Sequence, residues 1–326
     1  MSKPRVFVTR LILESGLNLI RDFCEAEIWP DELPPSREAI LRGVRGMDGL
    51  LCLLTDRVDA EIMEAAGPGL KIISNHAVGV DNVDVAAASA RGIPVGYTPG
   101  ILTDATADLA FALLLAAARR VVEGDRLVKA GGWKTWAPGF MLGADLAGAT
   151  LGIVGFGRIG RAVARRASGF NLQVIFTNTS QAAPEPGVKA AQVDFDTLLR
   201  EADFISLHTP LTDETRGLIN ADTLGRMKPT AVLVNTARGQ VVDQAALYEA
   251  LYSKRIFAAA LDVTVPEPLP PDHPLLRLEN CLIVPHIGSA SWQSRAHMSR
   301  MAAENLIAGL KGERLPNCAN PEVYSR

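Results

Sequence analysis

The chain has 326 residues, of which 48% are hydrophobic and 21% are charged. At roughly 150 residues per domain this length predicts about two domains, and the composition excludes an intrinsically disordered chain. The 33 basic and 36 acidic side chains leave a formal charge of -3, so no global positive field exists to hold nucleic acid or an anionic membrane surface. The N-terminal sequence lacks the apolar segment of a secretion signal, and we therefore expect a cytoplasmic protein.

Short runs rich in Val, Ile and Leu alternate with helical segments, a pattern that predicts an α/β protein with parallel sheets. The predicted strands of the N-terminal part form a small doubly wound unit and have the sequences RVFVT, EAEIW, GLLCLL, LKIIS and IPVGY. A long helix is expected from about residue 103 to residue 129, and its apolar centre indicates burial between domains or subunits. The loop GGWKTWAPGFMLGADL follows this helix.

A second series of strands and helices begins near residue 149. Its six predicted strands fit a full dinucleotide-binding sheet and lie in the sequences ATLGIVGFG, LQVIF, DFISL, AVLVN, IFAAALDV and CLIVPH. Beyond residue 286 the pattern changes to one last helix, at roughly residues 289–310, and a polar tail. The cofactor sheet is thus expected in the middle and C-terminal parts of the chain.

The segment GFGRIG places three glycines, Gly155, Gly157 and Gly160, directly after an apolar strand and at the start of a helix. Gly155 can make the tight turn, Gly157 leaves room for a diphosphate, and Gly160 permits close packing of helix on strand. The free N–H groups at the helix start would face the phosphates. A lone motif of this kind is an ordinary glycine turn in most proteins, but this context favours dinucleotide binding. Arg158 either reaches the diphosphate or is a solvated residue at the helix start.

The end of the second strand of this series distinguishes NAD from NADP, because a carboxylate there binds the ribose hydroxyls of NAD and repels a 2′-phosphate. Asn178, Thr179 and Ser180 occupy that position, and neither an acid nor an arginine stands beside them in the sequence. They can supply only neutral hydrogen bonds. We therefore predict that NADP is preferred and that NAD is also possible.

Three charged residues follow predicted strands, where ligands bind in open α/β sheets: Arg238, Glu267 and His286. Reduction of a 2-oxo acid needs a cation for the carboxylate, a proton donor for the developing alkoxide and a hydride donor. Arg238 can bind carboxylate and carbonyl oxygens, and His286 can donate the proton. Glu267, bonded to His286, would orient the ring and keep the protonated acid present near neutral pH. Taken singly, Arg238 and Glu267 fit surface ion pairs equally well, and His286 fits an ordinary loop histidine.

The motifs GFGRIG, NTARG, LDV followed by PEPLP, PHIGSA and the GGWKTW loop occur in one order along the chain. In this order and spacing the chain resembles the D-isomer-specific 2-hydroxyacid dehydrogenase family over essentially its whole length, most closely the glyoxylate reductase/hydroxypyruvate reductase branch. The resemblance implies that Arg238, Glu267 and His286 form the family's catalytic triad. It also implies a Rossmann cofactor domain, residues 103–286, inserted into a flavodoxin-like substrate-binding domain, residues 1–102 and 287–326, with the active site in the cleft.

Further substrate-binding residues are expected from the same resemblance. The segment HAVGVDN, with Val78 and Gly79, is similar to the family loop whose backbone N–H groups hold the substrate carboxylate, and Leu53 or Leu54 would line the small pocket. Ser289 is similar to a serine of that pocket, and it could alternatively be the N-cap of the last helix. Trp136 resembles an aromatic residue that one subunit projects into the pocket of its neighbour. A homodimer is therefore expected.

On the cofactor side, the resemblance assigns four residues to the nicotinamide half of the site, and Asp262 would bond the carboxamide. These four are Thr106, Pro210, Thr236 and Asp262. Ile159, Thr215 and Gly288 complete the predicted cofactor-binding set. The cysteines form no CxxC pair and no histidine has a ligand partner four residues away, so no metal is expected.

The predicted activity is hydride transfer from NADPH, possibly NADH, to a small 2-oxo acid such as glyoxylate or hydroxypyruvate. One alternative within the family is activity on another acid, such as 2-ketogluconate, phosphoglycerate or a bulkier hydroxy acid, or on phosphite. The alternative from another class is a dinucleotide-sensing interaction protein, similar to the transcriptional co-repressors that share the fold. Such proteins can keep the triad, so turnover distinguishes the two.

Overall fold

The computed structural model describes residues 2–184 and 186–325. The chain divides into two compact units. Unit 1 consists of Met1–Leu102 and Ala290–Arg326, and unit 2 is Thr103–Ser289. The second boundary therefore falls at Ser289, in the turn beyond His286. That unit 1 binds substrate and unit 2 binds the dinucleotide stays a prediction at this stage.

The secondary structure alternates strands and helices along the chain. The strands are β1 (Arg5–Val8), β2 (Glu25–Ile28), β3 (Gly49–Cys52), β4 (Ile72–Asn75), β5 (Val95–Gly96), β6 (Thr150–Val154), β7 (Gln173–Thr177), β8 (Ala190–Gln192), β9 (Phe204–Leu207), β10 (Val232–Asn235), β11 (Ala258–Leu261) and β12 (Cys281–Ile283). The helices are α1 (Glu14–Phe23), α2 (Arg37–Gly43), α3 (Ala60–Ala66), α4 (Val85–Ala90), α5 (Thr103–Ala118), α6 (Val121–Lys129), α7 (Arg158–Ser168), α8 (Phe195–Glu201), α9 (Ala221–Arg226), α10 (Gln244–Tyr252) and α11 (Trp292–Leu310).

Unit 1 is built on a five-stranded parallel sheet with the order β2-β1-β3-β4-β5. This is the flavodoxin-like order that the sequence predicts. β3 and β4 are buried along their whole length, because helices cover both faces of the sheet. One face packs against α1 and α11 and the other against α2 and α3, which gives the unit two apolar layers.

Unit 2 is built on a seven-stranded parallel sheet with the order β12-β11-β10-β9-β6-β7-β8. Counted from its own first strand, the unit contains the Rossmann order 3-2-1-4-5-6 with one further strand at the edge. Val232 and Val234 of β10 face one apolar layer, with α5 and α7, and Leu233 faces the other, with α8 to α10. The predicted α/β class with two doubly wound sheets is confirmed.

The structure differs from the predicted elements in three places, namely an additional strand, β8, a break in the long helix, and the start of the last helix. β8 was not predicted, because Ala190, Ala191 and Gln192 form a short, partly exposed edge strand without β-branched residues. The expected helix over residues 103–129 is two helices, α5 and α6, separated at Arg120, whose backbone is left-handed with φ 54°. Nε of Arg120 donates to Oε2 of Glu123 at 2.8 Å across this break.

The last helix begins at Trp292, and its N-cap is Ser291, whose Oγ accepts from the amide of Ser294 at 3.3 Å. Ser289 is therefore not the helix cap, and that alternative is wrong. None of the helices within the described residues is both long and apolar enough to cross a bilayer.

The close packing of α7 on β6 can be tested at Gly160. A Cβ at Gly160 would overlap the carbonyl oxygen of Gly155, so Gly160→Ala should destabilise the protein by about 1–3 kcal/mol. Gly225 is the matched control, because a Cβ there would meet nothing within 4 Å on the exposed face of α9. Gly225→Ala should raise stability by about 0.4–1 kcal/mol through the unfolded state. Melting temperatures measure both, and equal values for the two variants would contradict the packing argument.

Candidate active site

The glycine-rich loop lies between the carboxyl ends of β6 and β9, where the strand order of unit 2 reverses. Gly155 has φ 90°, and a Cβ there would come within 2.8 Å of the carbonyl of His208. At Gly157, the N-cap of α7, a Cβ would meet nothing within 4 Å. Arg158 opens α7 and is exposed, whereas Ile159 packs against the core. The open space beside a helix start, without a side chain in it, fits the diphosphate of a dinucleotide.

Asn178 connects this loop to the end of β7. Its Oδ1 accepts from the amide of Phe156 at 3.3 Å, and its Nδ2 donates to the carbonyl and the Oγ of Ser180, each at 3.2 Å. Thr179 and Ser180 are exposed. Gln192 of β8 donates to the carbonyl of Ser180 at 3.1 Å. The predicted ribose-binding segment is thus held in shape by neutral hydrogen bonds.

A cation missed by the sequence reasoning contacts the loop that continues from this segment. The guanidinium of Arg161, on α7, lies 4.9 Å from the centroid of the Phe156 ring and donates to the carbonyl oxygen of Ala183. An arginine of α7 therefore contacts the loop after β7, although no arginine stands beside Asn178–Ser180 in the sequence. The sequence holds one sign of this contact. In GRIGR, Arg161 lies on the helical turn that follows the glycine loop.

The loops after β9 and β10 carry three more predicted cofactor residues. The hydroxyl of Thr215 donates to the carbonyl of Pro210 at 2.7 Å and closes the loop after β9. His208 precedes this loop, with its Nε2 2.8 Å from Oγ of Ser206 and its Nδ1 3.5 Å from Oγ1 of Thr236. Desolvation by burial lowers the pKa of His208 to about 3. The ring is therefore neutral at neutral pH.

His286 and Glu267 form a hydrogen-bonded pair. Nδ1 of His286 lies 2.8 Å from Oε2 of Glu267, and the amide of Thr264 donates to Oε1 at 3.0 Å. Burial raises the pKa of Glu267, but the hydrogen bonds from His286 and Thr264 and the charges of His286 and Arg238 outweigh it, so the pKa lies below its ordinary value. The carboxylate is ionised and fixes Nδ1 as a donor, which leaves Nε2 for another partner.

Arg238 begins a short 3-10 turn after β10. Asn235, fully buried, accepts from the amide of Ala237 at 3.0 Å and donates to the carbonyl of Arg238 at 2.9 Å. The next residue, Gly239, has no room for a Cβ because the carbonyl of Thr264 lies there. The loops after β10 and β11 therefore meet backbone to backbone, and this places the charge of Arg238 where it lowers the pKa of Glu267.

The backbone of His286 is held in a left-handed conformation, with φ 51°. Its amide donates to the carbonyl of Asp262 at 2.9 Å. The side chain of Asp262 accepts from the amides of Ile287, at 2.6 Å, and Gly288, at 2.8 Å. Thr106 donates to the carbonyl of Gly288 at 3.2 Å. Asp262 and Thr106 thus position the segment that carries His286, and the expected bond from Asp262 to a carboxamide stays a prediction.

Unit 1 contains the expected carboxylate loop. Within the described part of the chain, the amides of Val78 and Gly79 donate to no acceptor, so both are available to an anion. The sequence reasoning missed the two asparagines that hold this loop. Nδ2 of Asn75 donates to the carbonyl of Gly79 at 2.9 Å, and Nδ2 of Asn82 donates to the carbonyl of Leu53 at 3.0 Å. The bonds tie the Val78–Gly79 segment to the segment with the predicted pocket residue Leu53.

Two further predicted substrate residues lie in irregular segments of the chain. Ser289 lies in the turn after Gly288. Trp136 lies in the irregular segment after α6 and is 75% exposed. Within residues 2–184 and 186–325, no three His, Cys, Asp or Glu side chains form a group that could hold a metal ion.

Comparison with known proteins gives a consistent set of relatives. The family profile of the D-isomer specific 2-hydroxyacid dehydrogenase, NAD binding domain, matches residues 111–288. A glyoxylate reductase of Korarchaeum cryptofilum is 54% identical over 323 residues, 98% of this chain and 97% of the relative. A Thermus thermophilus crystal structure has a TM-score of 0.91 at 49% identity, covering 97% of this chain and 99% of the other.

A second solved structure carries ligands. It is an NADPH-dependent glyoxylate/hydroxypyruvate reductase of Sinorhizobium meliloti in complex with NADP and malonate. This chain is similar to it with a TM-score of 0.83 and 31% identity, over 98% of both chains.

The buried histidine next to the carboxylate loop predicts sensitivity to acid. Burial, followed by the charge of Arg295, lowers the pKa of His76 from 6.5 to about 4. Because the unfolded chain binds a proton at a higher pH than the folded one, stability is complete above pH 6.5 and falls between pH 6.5 and about 4, by roughly 3 kcal/mol from this residue.

The variant His76→Gln should lose less stability over this range, as measured by the melting temperature against pH. His297→Gln is the control, because His297 is exposed on α11. An unchanged slope in His76→Gln would exclude His76 as the cause.

Proposed function

Because the chain belongs to the D-isomer-specific 2-hydroxyacid dehydrogenase family, we propose that it reduces a small 2-oxo acid to the D-2-hydroxy acid with a nicotinamide cofactor. The observation that carries the proposal is the His286–Glu267 pair beside Arg238, on adjacent loops of one sheet edge. The cofactor supplies the hydride when it is bound. The glycine loop, open at Gly157, fits its diphosphate.

Each residue of the triad has one task in this proposal. Arg238 binds the carboxylate and the carbonyl oxygen with its planar guanidinium. His286 donates the proton from Nε2 to the oxygen that becomes the alkoxide, and Glu267 stabilises the positive ring through Nδ1. The free amides of Val78 and Gly79, in unit 1, are assigned to the carboxylate. Leu53, in unit 1, and Ser289, the last residue of unit 2, are assigned to the pocket.

The substrates proposed are glyoxylate and hydroxypyruvate, after the names of the relatives. We propose NADPH as the preferred cofactor, with NADH also accepted, because no carboxylate stands at the end of β7 to repel a 2′-phosphate. Thr106, Pro210, Thr236 and Asp262 are assigned to the nicotinamide half of the site, and Thr215 and Gly288 complete the proposed cofactor-binding set. A cytoplasmic location and the absence of nucleic-acid partners stay predictions.

The decisive experiment follows oxidation of NADPH or NADH by absorbance after addition of glyoxylate, hydroxypyruvate or pyruvate to the purified chain. Turnover with glyoxylate or hydroxypyruvate, with a higher kcat/KM for NADPH than for NADH, supports the proposal. Binding of the cofactor without turnover of any acid would contradict it and favour a sensor.

The proton donor can be tested in the same assay. His286→Ala should lower kcat by about 10²–10⁴-fold while cofactor affinity, measured by fluorescence, stays within about twofold, because the ring acts in proton transfer. Glu267→Gln should also lower kcat, because the ring loses the carboxylate that holds Nδ1 as a donor. His297→Ala is the control on an exposed helix face. Full turnover in His286→Ala would eliminate this residue as the acid.

We also propose that the chain forms a homodimer through α6 and the segment after it. Helix α6 is amphipathic but buries none of its residues. Large apolar side chains are exposed over the same stretch, namely those of Val121, Val128, Trp133, Trp136, Phe140 and Leu142. So many exposed large apolar side chains within one stretch of chain are typical of a subunit interface. The resemblance assigns Trp136 to the neighbour's substrate pocket.

Sedimentation velocity at micromolar concentration should show a dimer. Replacing Trp133 and Trp136 together by Asp should shift the equilibrium to the monomer, because two charges cannot be buried in an apolar interface. Trp292→Asp serves as the comparison, since Trp292 is 87% exposed at the start of α11. A wild-type monomer at this concentration would overturn the dimer proposal.

A further inference from the structure

The arginines of α7 differ in what they contact. The helix carries Arg158, Arg161, Arg165 and Arg166. The last two bond to the carboxylates at the start of α5: Nη2 of Arg165 lies 3.4 Å from Asp104, and Nε of Arg166 lies 2.6 Å from Asp108. Their charges are therefore largely compensated within the unit.

Arg161 faces the other way, toward the end of β7. Its guanidinium lies over the Phe156 ring and donates to the carbonyl of Ala183. Within the described part of the chain Arg161 makes no ion pair with a carboxylate, and the single bond to Ala183 leaves most of its N–H donors for another acceptor. Contact with an aromatic face orients the guanidinium before any ligand binds.

The loop after β7 also offers hydrogen-bond donors that carry no charge. Oγ of Ser180 accepts from Nδ2 of Asn178, so the Ser180 hydroxyl proton is directed to another acceptor. Asn178 is itself anchored on the Phe156 amide, and Phe156 carries Arg161 on its ring. Phe156 thus contacts both the guanidinium of Arg161 and the side chain of Asn178, and so positions one relative to the other.

We propose that Arg161 is the cation that binds the 2′-phosphate of NADP(H), with the Ser180 hydroxyl as a neutral second donor. The inference rests on the proposed use of a nicotinamide cofactor and names the residue that sets the preference for NADPH. A phosphate dianion is bound best by a guanidinium that is already oriented and that need not first break an ion pair with a carboxylate. Arg161 meets both conditions. Because no acidic residue stands at the end of β7, no carboxylate there repels the 2′-phosphate.

The test compares Arg161→Ala, Arg161→Lys and Arg165→Ala. Loss of a charge-assisted bond should lower kcat/KM for NADPH by about 10- to 100-fold in Arg161→Ala and leave kcat/KM for NADH within about twofold. Arg161→Lys should recover part of the loss, because it restores charge without the planar fork. Arg165→Ala removes the same formal charge one turn along α7 and should leave the NADPH to NADH ratio unchanged.

Binding of adenosine 2′,5′-bisphosphate and of AMP, measured by calorimetry, separates this inference from the proposed activity. Arg161→Ala should weaken the bisphosphate about 10- to 100-fold and leave AMP unaffected. This result supports the inference even if no 2-oxo acid is reduced. The inference is overturned if Arg161→Ala leaves the affinity for the bisphosphate unchanged. It is also overturned if Arg161→Ala and Arg161→Lys weaken both nucleotides equally, or both cofactors equally.

Discussion

The carboxylate of Asp262 is the anchor on which the geometry of the triad depends. It is 2% exposed, and burial raises its pKa, yet each of its oxygens accepts a backbone amide, from Ile287 and Gly288. Those bonds hold the residues that follow His286, whose left-handed backbone costs about 1–3 kcal/mol without such support. With the backbone fixed and Nδ1 bonded to Glu267, the ring of the proposed proton donor is oriented before substrate arrives.

The other loops at this edge of unit 2 are held by close backbone approach at glycines. Gly155 lies against the carbonyl of His208, and Gly239 lies against the carbonyl of Thr264. Parallel strands end at one edge of a sheet, so their loops must share a small volume, and residues without a Cβ allow that. A side chain at Gly239 would separate the loops after β10 and β11, and the distance between Arg238 and Glu267 would then no longer be set by the sheet.

The sequence predicts the parallel sheets and the strand-end position of Arg238, Glu267 and His286, because buried strands and glycine turns leave strong local patterns. It does not predict what depends on three-dimensional neighbours. Arg161 stands 17 residues before Asn178 in the chain and reaches its loop only because α7 packs beside β7. The break at Arg120 is invisible in an apolar run, since a left-handed residue other than glycine carries no reliable signature. The loop-holding roles of Asn75 and Asn82 likewise follow from folding, not from a motif.

The two histidines that follow strands of unit 2, His208 and His286, differ in environment, and this difference favours His286 as the proposed acid. Desolvation lowers the pKa of His208 to about 3, and among the described residues its ring nitrogens pair only with the hydroxyls of Ser206 and Thr236. No carboxylate of the described residues pairs with it to stabilise a positive ring, so at neutral pH the ring is neutral and is not a general acid. By contrast, Nδ1 of His286 lies 2.8 Å from Oε2 of the ionised Glu267. That carboxylate holds Nδ1 as a donor and leaves Nε2 for another partner, and the side chain of His286 is 26% exposed, so the ring is accessible to solvent.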